Sequence, residues 1–119
     1  MKMYVLFFIV FFFTPAIAFS EISGKYRVYG SQPGQTYKSV VVIKKVGHVY
    51  TANWADDDGS TETGTGVRRG DYLSFVFKES EGNFYGVQVY KISKDCLQGG
   101  PWAWYGDTWK GYEKLKKTH

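Results

Sequence analysis

From Gly24 onward, short runs rich in Val, Ile, Tyr, Phe and Trp are cut repeatedly by Gly, Asp and Asn, and this punctuation decides the fold class. No window of about 11 residues carries a helical period. Strands are expected near Gly24–Gly30, Tyr37–Lys45, His48–Trp54, Thr61–Arg68, Tyr72–Lys78, Phe84–Ile92, Cys96–Trp104 and Thr108–Leu115. Between them, Val46-Gly47, Asp56 to Gly59, Arg69 to Asp71, Glu79 to Asn83, Ser93 to Asp95 and Gly106-Asp107 are short enough for hairpins. Only Ser31 to Gln35 reads as a longer, open turn. The fold class is therefore all-β: an eight-stranded antiparallel up-and-down meander. Closing the last strand on the first removes both edges and makes a small barrel. Eight strands leave an interior wide enough for side chains or for one small ligand.

Period two phases several strands. Tyr26 and Val28, Tyr50, Ala52 and Trp54, and Leu73, Phe75 and Phe77 point inward, opposite Lys25, Arg27, Asn53, Ser74 and Lys78. Val40 to Ile43 is continuously apolar and cannot be phased alone. Gly64 and Gly66 alternate within a strand, as if a large ring from a neighbour lay across them.

A leader precedes this pattern. Met1-Lys2-Met3 is a short cationic start, Tyr4 to Phe13 is unbroken apolar sequence, and Ala16-Ile17-Ala18 supplies the small residues of a cleavage site. The apolar run is too short to span a bilayer, which takes about 20 residues in a helix. We therefore expect a signal peptide over 1–18, a single β-barrel domain over 19–119, export to the periplasm or medium, and no membrane anchor after cleavage. Losing Lys2 lowers the net charge from +4 to +3, and no basic stripe marks a nucleic-acid partner. Cys96 is the only cysteine, so no internal disulfide can form, and it reads as a small buried apolar residue.

Gly24-Lys25-Tyr26, Pro33-Gly34, Tyr37, Val40 to Val42, Tyr50, Trp54, Gly64-Thr65-Gly66, Gly70 to Ser74, Gly86-Val87, Tyr90, Leu97, Trp102 and Gly111-Tyr112-Glu113 cover most of the chain after the leader. The pattern resembles small exported bacterial proteins labelled fibronectin-binding-like and, more distantly, the short barrels of the avidin and lipocalin superfamily. That resemblance implies a barrel and leaves its cargo open. Tyr26 stands where lipocalins usually carry a tryptophan, and no set of polar residues maps onto avidin's biotin site.

The sequence is poor in catalytic groups. Hydrolysis needs a nucleophile, a base and a group that orients the base, and the histidines are only His48 and His119. His48 with Ser74 and Asp71 is the one triad-like set on offer. Asp56-Asp57-Asp58 before Gly59 reads as a turn, because the alternating acidic ligands of a calcium loop are missing. No metal, no cofactor and no enzymatic activity is expected.

Binding is the stronger theme. Trp102, Trp104, Tyr105, Trp109 and Tyr112 lie close together, and indoles and phenols combine apolar area with one polar group. Trp102, Trp104 and Trp109 are the expected ligand surface and Tyr112 a hydrogen-bonding rim. Pro101, which has no amide hydrogen, is expected to open the ladder beside them in a Gly99-Gly100-Pro101 bulge. Arg69-Gly70-Asp71 matches an adhesive tripeptide at a hairpin tip. Two functions follow: a barrel with an aromatic-lined mouth for a small or extended apolar or aromatic ligand, or a protein-binding module, adhesin or enzyme inhibitor, using exposed rings or hairpin tips. A deep cavity favours the first and a filled barrel the second.

Overall fold

Alternation of large inward and polar outward side chains runs through the strands of the computed structural model, which describes residues 22–118. The expected leader over 1–18, the domain start at Phe19, and His119 lie outside the described residues. The strands are β1 (Gly24–Gln32), β2 (Gln35–Val46), β3 (Val49–Asp56), β4 (Thr61–Arg69), β5 (Tyr72–Glu79), β6 (Tyr85–Ser93), β7 (Cys96–Trp104) and β8 (Gly111–Lys117). Each pairs antiparallel with the next, and β8 returns to β1, with Val28 opposite Leu115 and Gly30 opposite Glu113, so the barrel is closed.

The phased positions Tyr26, Val28, Tyr50, Ala52, Trp54, Leu73, Phe75 and Phe77 are all buried. Strand β2 resolves as Val41 and Ile43 inward, with Val40 and Val42 half-buried on the other face. The open turn expected over Ser31 to Gln35 is instead a two-residue link. Gln32 pairs with Gln35, because Pro33 presets its own φ and Gly34 takes a φ of 75°. At the other extreme β8 begins at Gly111 rather than Thr108, which leaves a longer connection over 105–110.

The two ends of the barrel differ. Tyr26, Val28, Val41, Ile43, Leu73 and Leu97 are almost fully buried, and the Tyr26 hydroxyl donates to the Ile22 carbonyl at 2.7 Å. This draws the chain before β1 onto the core and closes the end where β1 starts. Toward the opposite end the inward positions become Gly64 and Gly66 on β4, Gly86 on β6 and Gly111 on β8. A Cβ at Gly64 would stand 3.1 Å from Trp54 Cζ3, and one at Gly66 2.6 Å from Phe75 Cδ1. Rings from neighbouring strands pack close against bare backbone, as the Gly64/Gly66 alternation implied.

Candidate functional site

Inward side chains near the end of β1 and start of β2, the end of β3, the start of β4, the end of β5 and the end of β7 surround an open cavity of about 450 Å³. Its aromatic wall is Tyr37, Trp54, Phe77, Trp102 and Trp104. The rings meet edge to face: Phe77 with Trp104 at 5.1 Å between centroids, Trp102 with Trp104 at 6.0 Å, and Trp54 with Phe75 beneath at 5.7 Å. This geometry suits the ring quadrupoles and holds each ring in place.

Glu113 sits at the base of the cavity, 6% exposed. A buried carboxylate is costly unless it is hydrogen-bonded, and here both oxygens are used. Tyr90 donates to Oε1 at 2.8 Å and Tyr37 to Oε2 at 2.7 Å. Tyr90 in turn accepts the Trp54 indole N–H at 3.0 Å. The second arm nearly repeats the first. The Trp102 indole N–H lies near enough to the Tyr37 hydroxyl to lower that phenol's pKa, yet without hydrogen-bond geometry, so it has no partner among the described residues. Burial pushes Glu113 above the usual carboxylate range, and the two tyrosine hydrogen bonds oppose that shift. Burial and the Glu113 charge hold Tyr90 and Tyr37 protonated far beyond neutral pH.

Carboxylates also ring the mouth. Asp56, Asp57, Asp58, Glu62 and Glu79 line the cavity together with Glu113 at its base, and Lys38 is the one lysine or arginine among the lining residues. Burial, with the neighbouring Asp56 and more distant Glu113 and Asp58, pushes Glu62 up to about 9. Asp58 moves the other way, because it accepts the Ser60 hydroxyl at 2.6 Å and the Ser60 amide at 2.9 Å.

The expected ligand residues divide among different surroundings. Trp102 is buried and Trp104 half-buried, both in the cavity wall. Trp109 leans edge-on against Trp102 at 5.7 Å from the exposed 105–110 connection. Tyr112 is on the outer face of β8, between inward Gly111 and Glu113, and does not line the cavity. The bulge expected at Gly99-Gly100-Pro101 falls just before it. Pro101 pairs with Tyr112 on β8, while adjacent Lys91 and Ile92 of β6 face Gly99 and Leu97, so the extra residue is Gln98 of β7, beside Gly99 with its φ of 136°. Where pairing between β6 and β7 lapses, the buried Gln88 amide donates to Gly100 O at 3.1 Å and Pro101 O at 3.0 Å, with Val89 O at 3.2 Å. The seam is sealed, and access to the interior is through the mouth at the Trp104 end.

Arg69-Gly70-Asp71 occupies the exposed β4–β5 turn at the closed end, with Gly70 at a φ of 60° and its carbonyl accepting from Arg68 Nε at 3.0 Å. Cys96, expected to be buried, is only partly so, because it starts β7 at the barrel rim. Ser74 faces outward, His48 is exposed at the β2–β3 turn, and no hydrogen bond joins either to Asp71 among the described residues. No group of His, Cys, Asp or Glu among the described residues is arranged to hold a metal.

Sequence reading missed Tyr37, Trp54, Glu62, Gln88, Tyr90 and Glu113 as site residues. The signal was polar residues in an inward phase: Glu113 between Gly111 and Leu115, Gln88 between Gly86 and Tyr90, and Glu62 in step with Gly64 and Gly66.

No family model and no curated protein matches this chain. Among solved structures it is similar to a redesigned β-barrel, mFAP1, bound to DFHBI, at a TM-score of 0.63 and 18% identity, over 82% of this chain and 96% of that one. That likeness shows the fold.

Proposed function

We propose that this chain is a non-enzymatic, exported binding barrel that takes a small, flat ligand into its open aromatic mouth. The observation that carries the reading is that the barrel is filled at one end and hollow at the other. A cavity of about 450 Å³ is walled by Tyr37, Trp54, Phe77, Trp102 and Trp104. Small-molecule sites are usually concave, of roughly 300–1,000 Å³, and combine apolar or aromatic walls with fixed polar groups. The mFAP1 barrel, solved with DFHBI bound, lends the same reading support at the level of architecture. Export rests on the leader, and the likeness to fibronectin-binding-like, avidin and lipocalin barrels belongs to the same proposal.

A second reading, docking of a protein partner, draws on the outer surface. Phe84 is 67% and Tyr105 72% exposed, and Tyr85 stacks on Tyr105 at 4.8 Å. Exposed aromatics of this kind are the usual anchors of protein interfaces.

Titration with N-phenyl-1-naphthylamine, a neutral flat fluorophore, tests the first reading. Its emission should rise on binding, and Trp104→Ala should weaken that binding by about tenfold, whereas Tyr105→Ala should leave it unchanged. No rise in emission with the folded protein, or loss with Tyr105→Ala alone, overturns it.

A further inference from the structure

We propose that the barrel mouth selects aromatic amines in their cationic, ammonium form. The inference rests on the binding reading above and names the ligand class.

Charge is segregated against the composition of the chain. The whole sequence carries +4, yet the cavity is lined by six carboxyl residues, Asp56, Asp57, Asp58, Glu62, Glu79 and Glu113, and by one amine, Lys38. A concave site walled by low-dielectric rings focuses such a field on whatever enters. The same rings attract a cation directly, since the faces of Trp and Tyr carry negative quadrupole density. An occupant with an aromatic body and one ammonium group matches both halves of the wall: rings against rings, nitrogen among carboxylates. A carboxylate ligand would meet repulsion on nearly every side.

The wall also holds, among the described residues, one buried polar atom without a partner and a crowded set of carboxyls. Trp102, 6% exposed, has an indole N–H with no partner among the described residues. Glu62 on β4 stands opposite Glu79 on β5 in the ladder and shares its neighbourhood with Asp56 on β3, Asp58 in the β3–β4 turn and Glu113 on β8. Clustered carboxylates cannot all ionise together, and Glu62, pushed up to about 9, keeps its proton at neutral pH. An entering ammonium supplies the positive charge that the proton supplied. Binding at neutral pH therefore releases a proton from Glu62 to solvent, and affinity rises with pH until the ligand's own amine deprotonates.

The experiment compares three probes of one shape with the full chain: tryptamine, 3-ethylindole and indole-3-propionate, titrated calorimetrically in two buffers of different ionisation enthalpy at pH 7. Tryptamine should bind at least about tenfold more tightly than 3-ethylindole, with indole-3-propionate weakest, and only tryptamine should show buffer-dependent heat from proton release. Glu62→Gln should abolish the proton release, and Asp56→Asn should cut the preference for tryptamine severalfold. Far-UV circular dichroism matching the parent's shows that both variants are folded, and a loss for tryptamine that exceeds any loss for N-phenyl-1-naphthylamine separates charge selection from general damage to the mouth. Equal affinity for tryptamine and 3-ethylindole, or a preference for indole-3-propionate, overturns the charge selection while leaving the binding barrel standing. Failure of the neutral fluorophore to bind strikes the binding reading itself.

Discussion

Tyr90 on β6 and Glu113 on β8 are joined by a hydrogen bond of 2.8 Å that passes inside the intervening strand β7. Two strands that share no ladder are thus tied through the barrel interior. Tyr90 also accepts the Trp54 indole from β3, so one phenol links three elements at the cavity base.

Tyr90→Phe tests this tie. The variant keeps the ring but removes a donor from Glu113 and the acceptor of the Trp54 N–H, leaving buried polar atoms unpaired. A loss of about 1–3 kcal/mol in denaturant unfolding is expected. Combining it with Glu113→Leu should cost less than the sum of the single changes, because the two residues act as one unit.

Stability should fall as pH rises across neutrality. Glu62 has a folded pKa of about 9 against an ordinary value of 4.5, so between those limits the folded chain holds a proton that the unfolded chain releases. The contribution is fully present below pH 4.5 and lost as pH rises toward about 9. Glu113, also raised, adds to the trend in the same direction. Urea midpoints at pH 5 and pH 8.5 should therefore differ, with the lower midpoint at 8.5, and Glu62→Gln should flatten the difference. The effect is damped because the Glu62 side chain is only half-buried.

The three tryptophans should separate in melts. Trp102→Ala removes a buried ring packed against Tyr37, Phe77, Trp104 and Trp109 and should cost about 3–5 kcal/mol. Trp104→Ala, half-buried in the wall, should cost less and act mainly on ligand affinity. Trp109→Ala, on an exposed connection, should leave unfolding within about 1 kcal/mol of the parent.

How much of this was readable from the chain follows from where the alternation is clean. Tyr50-Ala52-Trp54 alternates with Thr51 and Asn53, and Leu73-Phe75-Phe77 with Ser74, Val76 and Lys78, so period two located the core. The eight strands followed from turn residues between such runs. The Pro33-Gly34 turn was misread because two residues suffice when one presets φ and the other takes a positive one. The site was harder to read because its decisive groups violate the pattern: Glu62, Gln88 and Glu113 are polar at inward positions. A polar residue in an apolar phase is destabilising unless something distant answers it, and the answers here come from other strands: Tyr37 reaches Glu113 through closure of the barrel, and Gly100 reaches Gln88 across the β6–β7 hairpin. Density of tryptophan in the last strands found Trp102 and Trp104 in the wall, but density carries no phase, and Tyr112 falls on the outer face.

Gln88 provides the sharpest test of how the barrel stays closed beside Pro101. Proline lacks the amide hydrogen that would continue the ladder, and pairing between β6 and β7 lapses between Gln88 opposite Trp102 and Lys91 opposite Gly99. The strands nevertheless stay in close contact: a Cβ at Gly100 would overlap the Val89 carbonyl, so no other side chain fits there. Across this lapse the Gln88 amide donates to the carbonyls of Gly100 and Pro101 at 3.1 and 3.0 Å. Gln88→Leu preserves bulk and removes both hydrogen bonds, so it should destabilise the fold by about 2–3 kcal/mol. Gln88→Glu should be worse still, since it replaces a donor by an acceptor facing carbonyl oxygens, at a position 2% exposed. Amide hydrogen exchange should show the loss of protection concentrated in β6 and β7. Uniform loss across all eight strands, or no loss in either variant, would mean that the lapse is closed by backbone packing and that the glutamine is incidental to it.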